Sequence, residues 1–253
     1  MFLNTRNYRL LQALILLGLG AYFTWKIVSG TLFFYINERF LWLIIAGAIG
    51  FFVLAQAIWP RSAVEVDEHH HHDHDHEHTH GSSNRVWLLL IVSMPVLFGF
   101  LVPVQPLDTS AIETKGFSTN ATLASLNDSG SVALSQPADE RNVLDWIRAF
   151  NYSEDPSEFI GEPADVVGFV YHDDRVDDDQ FMVGRFALSC CVADAFAIGV
   201  AIDSPDAGEW KDNQWVHVRG TIELATFDGE IVPQIVAESI KEVPVPPQPY
   251  LFP

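Results

Sequence analysis

Basic residues are scarce in this chain: 14 Lys and Arg stand against 33 Asp and Glu in 253 residues, a formal charge of -19. Proteins that capture nucleic acids neutralise phosphates with Lys and Arg, so that class of function is set aside. Cysteine is nearly absent. The two present, Cys190 and Cys191, are adjacent and so do not form the Cys-x-x-Cys pattern of a thiol redox enzyme. No phosphate loop, dinucleotide fingerprint or Ser-His-Asp arrangement occurs, and no catalytic residue is expected.

Charge is also missing from most of the first hundred residues, although hydrophobic residues make up 49% of the whole chain. The contradiction resolves by position. Residues 108–253 hold 26 acidic against 8 basic residues, which is -18 of the -19, while residues 1–107 are mostly apolar and nearly balanced. Three apolar runs, 10–29, 40–59 and 86–104, each approach the roughly 20 residues needed to cross a hydrocarbon core of about 30 Å. The first is long, lacks a small-x-small cleavage site and is followed at once by the second, so it reads as a span and not a signal peptide. Tyr22, Trp25, Trp42, Trp59 and Trp87 fall near run ends as an aromatic belt would, and Lys26 is placed to snorkel to the interface. The connection 31–37, TLFFYIN, is apolar and reads as an interfacial hairpin. Pro95 and Gly99 loosen the third run.

Arg6 and Arg9 precede the first run and Arg61 and Arg85 flank the 60–85 connection, whereas the opposite side offers Arg39 and Lys115. The positive-inside bias places the N-terminus in the cytoplasm and the acidic C-terminal region outside a bacterial cell membrane. The chain divides into a three-span region 1–107, a Ser-, Thr- and Asn-rich linker 108–138 and a folded region 139–253.

Between the second and third runs lies a tract, 68–80, containing His69, His70, His71, His72, His74, His76, His78 and His80 interleaved with four acids. Neutral imidazoles beside carboxylates suit borderline divalent ions such as zinc, nickel or copper. The tract lacks the fixed spacing of a closed zinc site, which points to a multi-register trap of modest, pH-dependent affinity. A solvated low-complexity loop is the bland reading.

The C-terminal region opens with Val143, Leu144, Trp146, Ile147 and Phe150 at helical spacing behind acidic residues. Five segments rich in β-branched and aromatic residues follow, at 166–171, 181–192, 197–202, 215–223 and 231–243. Five strands in about 85 residues fit a small closed barrel of oligonucleotide/oligosaccharide-binding type, with Gly168, Gly184 and Gly220 at bends or bulges. A small β-sandwich is the competing fold. The acidic run Asp173, Asp174, Asp177, Asp178 and Asp179 lacks EF-hand spacing and reads as a hairpin turn.

Cys190 and Cys191 are the sharpest candidates for chemistry. Neighbouring thiols can hold a soft metal or a trivalent metalloid, with Asp194 and His172 as harder ligands. Adjacent residues in a regular strand point to opposite faces, so a joint site needs a bulge or a strand end. His172 and His217 otherwise read as surface or satisfied core histidines.

The order of membrane runs, the Gly168-Phe-Val-Tyr171 and Arg185-Phe186 pairs, Cys190-Cys-Val-Ala-Asp-Ala195, Trp215-Val-His-Val-Arg-Gly220 and the Pro-rich end through Tyr250 resembles the YcgQ-like bacterial membrane proteins. These are candidate permease subunits of unknown function. The resemblance implies a large multi-span permease as partner and an accessory role for this chain. The alternative is a stand-alone, membrane-anchored protein that buffers or senses metal. Three spans without a mid-span charge do not make a conducting path by themselves.

Overall fold

The computed structural model describes residues 5–60, 82–102, 104–118, 135–227 and 230–252. The His tract 68–80 and residues 119–134 of the expected linker lie outside them. The chain forms two compact units: residues 1–32 with 39–104, and residues 33–38 with 105–253.

The first unit contains helices α1 (Thr5–Val28), α2 (Leu41–Ile58) and α3 (Ser82–Leu101). Segments Arg6–Val28 and Glu38–Ile58 are long and apolar enough to cross a membrane, and only 22% and 11% of their apolar windows are buried. A core helix of a soluble protein would bury most of that surface, so these two helices require an apolar surrounding. Small residues bring α1 and α2 together: Ala13, Ala48 and Ala55 are buried, and a Cβ on Gly20 would press on the Phe52 ring. Phe23 stacks on Phe51 with centroids 6.0 Å apart. Against α3, the Tyr22 hydroxyl donates to the Gly99 carbonyl at 3.4 Å. Gly99 lies in the last turn of α3, where carbonyls have no intrahelical donor, and Tyr22 supplies one. Lys26, expected at the interface, is buried with its ammonium over the Trp25 and Tyr22 rings.

The second unit is a five-stranded closed barrel. Its strands are β2 (Pro163–Tyr171), β3 (Gln180–Ala187), β4 (Phe196–Asp203), β5 (Trp215–Phe227) and β6 (Glu230–Glu242). Neighbours run β4-β6-β5-β2-β3, and β3 pairs back onto β4, which closes these five strands into a barrel and excludes the sandwich. All barrel pairings are antiparallel except β4 with β6. The ladder between β5 and β6 shifts register at Arg219/Gly220. A Cβ at Gly220 would strike the Val236 carbonyl, so the bulge there needs glycine. Short β7 (Tyr250–Leu251) adds parallel to β3.

Helix α5 (Val143–Tyr152) closes the barrel core. Asn142 accepts from the Leu144 and Asp145 amides while Asp145 reaches back to the Asn142 amide, a capping box. Its apolar face buries Val143, Leu144, Trp146, Ile147 and Phe150 among Phe181, Ile198, Ile202, Ile222 and Ile235.

Part of the expected linker is folded. Asp108 caps α4 (Thr109–Lys115) through the Ser110 amide, and Gly116, at φ 78°, turns the chain into β1 (Phe117–Ser118), parallel to β4. Ile112 is buried in a cluster with Phe169 and Phe186, and the Phe117 ring lies 5.1 Å from that of Tyr171. Two apolar anchors in a polar segment are enough to dock it, and a composition reading passes over them.

The acidic run is the β2–β3 hairpin connection. Asp173 and Arg175 pair there at 2.6 Å. His217 bonds Asp165, which also accepts from Arg219 at 2.8 Å. Burial opposes ionisation of Asp165 and Asp173, but the hydrogen bonds from His217 and Arg219, and from Arg175, outweigh it and hold both carboxyls below the ordinary range. A folded pKa below the unfolded one stabilises above about pH 4 and is lost as pH falls through the folded value. The tryptophan-fluorescence unfolding midpoint of the detergent-solubilised protein is therefore expected to decline below about pH 4, and Asp173→Asn to remove part of that decline. An identical acid profile in the variant would show that Asp173 contributes nothing.

Candidate metal centre

The strand expected over 181–192 ends at Ala187, five residues early. The Leu188 amide donates to the Leu251 carbonyl, and the chain then leaves the sheet through Ser189 to a short 3₁₀ turn at Val192–Asp194. Because Cys190 and Cys191 lie past the strand end, the alternation of faces no longer separates them. Their sulfurs are 3.5 Å apart and both thiols are free. The ligand atoms of Cys190, Cys191 and Asp194 all lie within 4.8 Å of one another, the single group of this kind among the described residues.

Asp194 shapes the loop. Its carboxylate accepts from the Cys190 amide at 2.7 Å and the Cys191 amide at 3.1 Å, while the Cys191 side chain accepts from the Asp194 amide. Burial raises the Asp194 pKa, yet these backbone donors outweigh it and keep the carboxyl below its usual range. The hydrogen bond to Cys191, and then the Asp194 carboxylate, push the Cys190 thiol up to about 11. At neutral pH that thiol is protonated, so a metal ion bound there would have to displace its proton.

His172 does not join the group: its Nδ1 is 2.8 Å from the Asp212 carboxylate. The eight tract histidines lie outside the described residues.

Sequence reasoning missed what holds the loop. The 31–37 connection was expected as an interfacial hairpin, but residues 33–38 belong to the barrel unit and form a strap beside the thiols. Ile36 and Cys191 make an antiparallel bridge: the Asn37 amide donates to the Cys190 carbonyl at 3.0 Å, and the Val192 amide to the Tyr35 carbonyl at 2.9 Å. Asn37 Nδ2 adds a bond to the Ser189 carbonyl at 3.0 Å. On the strap's other contacts, the Tyr250 hydroxyl donates to the Phe34 carbonyl at 3.2 Å and Gln248 Nε2 to Glu38 at 3.1 Å. Lys115 of α4 donates to the Ala193 carbonyl at 3.1 Å. The signal available in the sequence was the aromatic content of 33–35, read as membrane affinity.

Arg185 braces this end of the barrel from beneath. Its guanidinium donates to the Val167 and Gln248 carbonyls at 3.1 and 3.0 Å and lies 5.2 Å from the Trp215 ring, with burial lowering its pKa to about 10. It remains charged at neutral pH, and two carbonyls and a ring face stand in for a counter-ion.

Two helices suited to an apolar phase, followed by a closed barrel that carries a clamped thiol pair, point to a membrane-associated protein. The chain belongs to the DUF1980 family: residues 11–118 match the DUF1980 N-terminal domain and residues 119–253 the DUF1980 C-terminal domain. It is similar to the UPF0703 protein YcgQ of Bacillus subtilis, with 25% identity over 197 residues, 67% of this chain and 69% of the relative. It is also similar to a Streptococcus mutans protein named "Putative two-component membrane permease complex subunit", with 23% identity over 206 residues, 68% of this chain and 75% of that one. The resemblance to the YcgQ-like proteins therefore holds.

Proposed function

We propose that this chain is an accessory, non-enzymatic subunit of a multi-span membrane permease, and that Cys190, Cys191 and Asp194 handle a thiophilic metal or metalloid for it. The observation that carries the reading is the thiol pair at 3.5 Å in a loop clamped to the connection between two membrane helices. Two Zn–S bonds of about 2.3 Å span that separation at an angle of roughly 100°, so one ion bridges the pair with little movement. The permease partner is supported by the name of the Streptococcus mutans relative.

Parity supports a third crossing and a multi-pass anchor. The strap 33–38 and the barrel belong to one unit, so the chain between them, residues 39–104, crosses the bilayer an even number of times. With α2 as one crossing, this parity supports α3 as the other. Arg6 and Arg9, taken as cytoplasmic, support an extracytoplasmic strap and barrel and a cytoplasmic His tract. The strand order and the parallel pairing of β4 with β6, the one such pairing among the five barrel strands, support an oligonucleotide/oligosaccharide-binding-like barrel. Its charge speaks against a phosphate ligand.

Full-length protein extracted in mild detergent is expected to co-purify with a multi-span permease, and antibody is expected to reach a C-terminal epitope on intact spheroplasts. Extraction without any permease would favour the stand-alone buffering or sensing protein. An epitope reached only after permeabilisation would reverse the orientation.

A further inference from the structure

The thiol loop and the strap share their backbone. The carbonyl of Cys190 and the amide of Val192, which flank the peptide of Cys191, are the two groups that hold the strap through Asn37 and Tyr35. The strap is joined by residues 29–32 to α1 and by residues 39–40 to α2. A second tether, Lys115 to the Ala193 carbonyl, joins the same loop to the segment that follows α3. Few loops could be tied more directly to the membrane connections of a protein.

We infer that occupancy of Cys190 and Cys191 by a thiophilic ion locks the strap onto the barrel, so that the site regulates the connection between the two membrane helices. This rests on the metal or metalloid reading of the thiol pair and adds the direction in which it is read out. An ion bridging both sulfurs fixes two side chains and the peptide between them. Ordering the loop costs conformational entropy, and strap and ion each require the same order. Whichever binds second finds that cost already met, which makes their coupling positive without any large displacement. Coupling is reciprocal: if the ion tightens the strap, loss of the strap weakens the ion by the same factor.

Other features of the strap fit a docked element that can be released. Among the contacts that hold it are backbone bonds, one amide side chain, the Tyr250 hydroxyl and the Gln248–Glu38 contact. Tyr250 is buried and Arg185 bonds the Gln248 carbonyl on the barrel side of the clamp, while the thiol side is a short exposed loop.

The test uses full-length protein in detergent and phenylarsine oxide, which joins two thiols by forming two As–S bonds and releasing one water. It is a probe for the dithiol to which the His tract supplies no ligand pair. Its equilibrium constant is read by competition with 2,3-dimercaptopropanol, and strap docking by hydrogen exchange of peptides covering 33–38. In the wild type, the probe is expected to slow exchange across the strap several-fold, with no effect in Cys190→Ser/Cys191→Ser. Asn37→Pro removes the amide donor of the bridge, and Tyr250→Phe removes a strap contact far from the thiols in sequence. Each is expected to weaken the probe by at least about 5-fold, the low end of ordinary coupling. Near-UV circular dichroism of the barrel tryptophans checks that both variants are folded, and Tyr250→Phe decides the matter if Asn37→Pro is not. Strap exchange that is unchanged or faster with probe bound, together with unchanged affinity in folded variants, would overturn the coupling and leave the thiol site standing. No probe binding by the wild type would overturn the site itself and the coupling with it.

Discussion

Full-length protein is expected to bind one equivalent of a thiophilic ion, and the Cys190→Ser/Cys191→Ser variant to bind none at this site. Two sulfurs at 3.5 Å act as a chelate, in which the second bond forms at high effective concentration. Losing one of two linked ligands costs about 10²–10⁴-fold in affinity, so either single variant is expected to lose most of the binding. Asp194→Asn acts differently. The carboxylate gives a separate oxygen to each of the Cys190 and Cys191 amides, and Asn replaces one of those acceptors with an NH2 donor. Loosening a ligand-positioning contact of this kind costs about 10–100-fold, and the variant keeps both thiols. Isothermal titration with Zn²⁺ on a background lacking residues 68–80 isolates the site from the His tract. Zn²⁺ binding that survives in the double Ser variant on that background would place the ion elsewhere. Binding that disappears with the tract alone would make the cysteines structural.

Trp146→Ala is expected to bring the barrel close to unfolding. Trp146 is fully buried among α5 and the barrel strands, packed edge-on against Phe159 with centroids 6.1 Å apart and covered by the Arg141 guanidinium at 4.8 Å. Truncating a buried Trp costs about 3–5 kcal/mol, against a typical domain stability of about 5–15 kcal/mol. The charged cover adds to the loss, because Arg141 is itself buried and bonded to Glu162 at 2.7 Å. Trp146→Phe is expected to be far milder. The buried indole N–H has no hydrogen-bond partner among the described residues, so phenylalanine removes an unsatisfied donor while keeping a ring for Phe159 and Arg141. Urea unfolding followed by circular dichroism ranks the three proteins. Equal losses for Ala and Phe would show that the indole's shape, not its burial, is what the core requires.

The elements that were legible in the sequence are those specified within a few residues. The apolar runs 10–29 and 40–59 appear as α1 and α2, because a helix satisfies its own backbone and needs no partner to be recognised. The run 86–104 appears as α3, beginning four residues earlier at Ser82. The i, i+3, i+4 spacing of Val143, Leu144, Trp146, Ile147 and Phe150 appears as α5 with those side chains buried. Each of the five barrel strands contains the core of its expected segment, since β-branched residues favour the extended backbone wherever it finally pairs.

What was not legible depends on partners far away in the chain. Alternating residues along 181–192 look alike to Ala187 and beyond it, and the strand stops because β7, more than sixty residues later, takes the Leu188 amide and turns the chain out of the sheet. That early end is what lets Cys190 and Cys191 share one side. The TLFFYIN connection carries the same apolar residues whether it lies in an interface or on a barrel; partners some 150 or more positions away, among them the carbonyl of Cys190, the amide of Val192 and the Tyr250 hydroxyl, decide for the barrel. Residues 109–118 were lost for the same reason, their two anchors Ile112 and Phe117 being too few to signal order without the surface they cover. Composition and local periodicity therefore settled the apolar helices and the acidic, strand-rich C-terminal region, because those follow from solvation and short-range sterics. The closure of the sheet, the meeting of the two thiols with Asp194 and the docking of the strap followed from long-range hydrogen bonds, which no short window of residues contains.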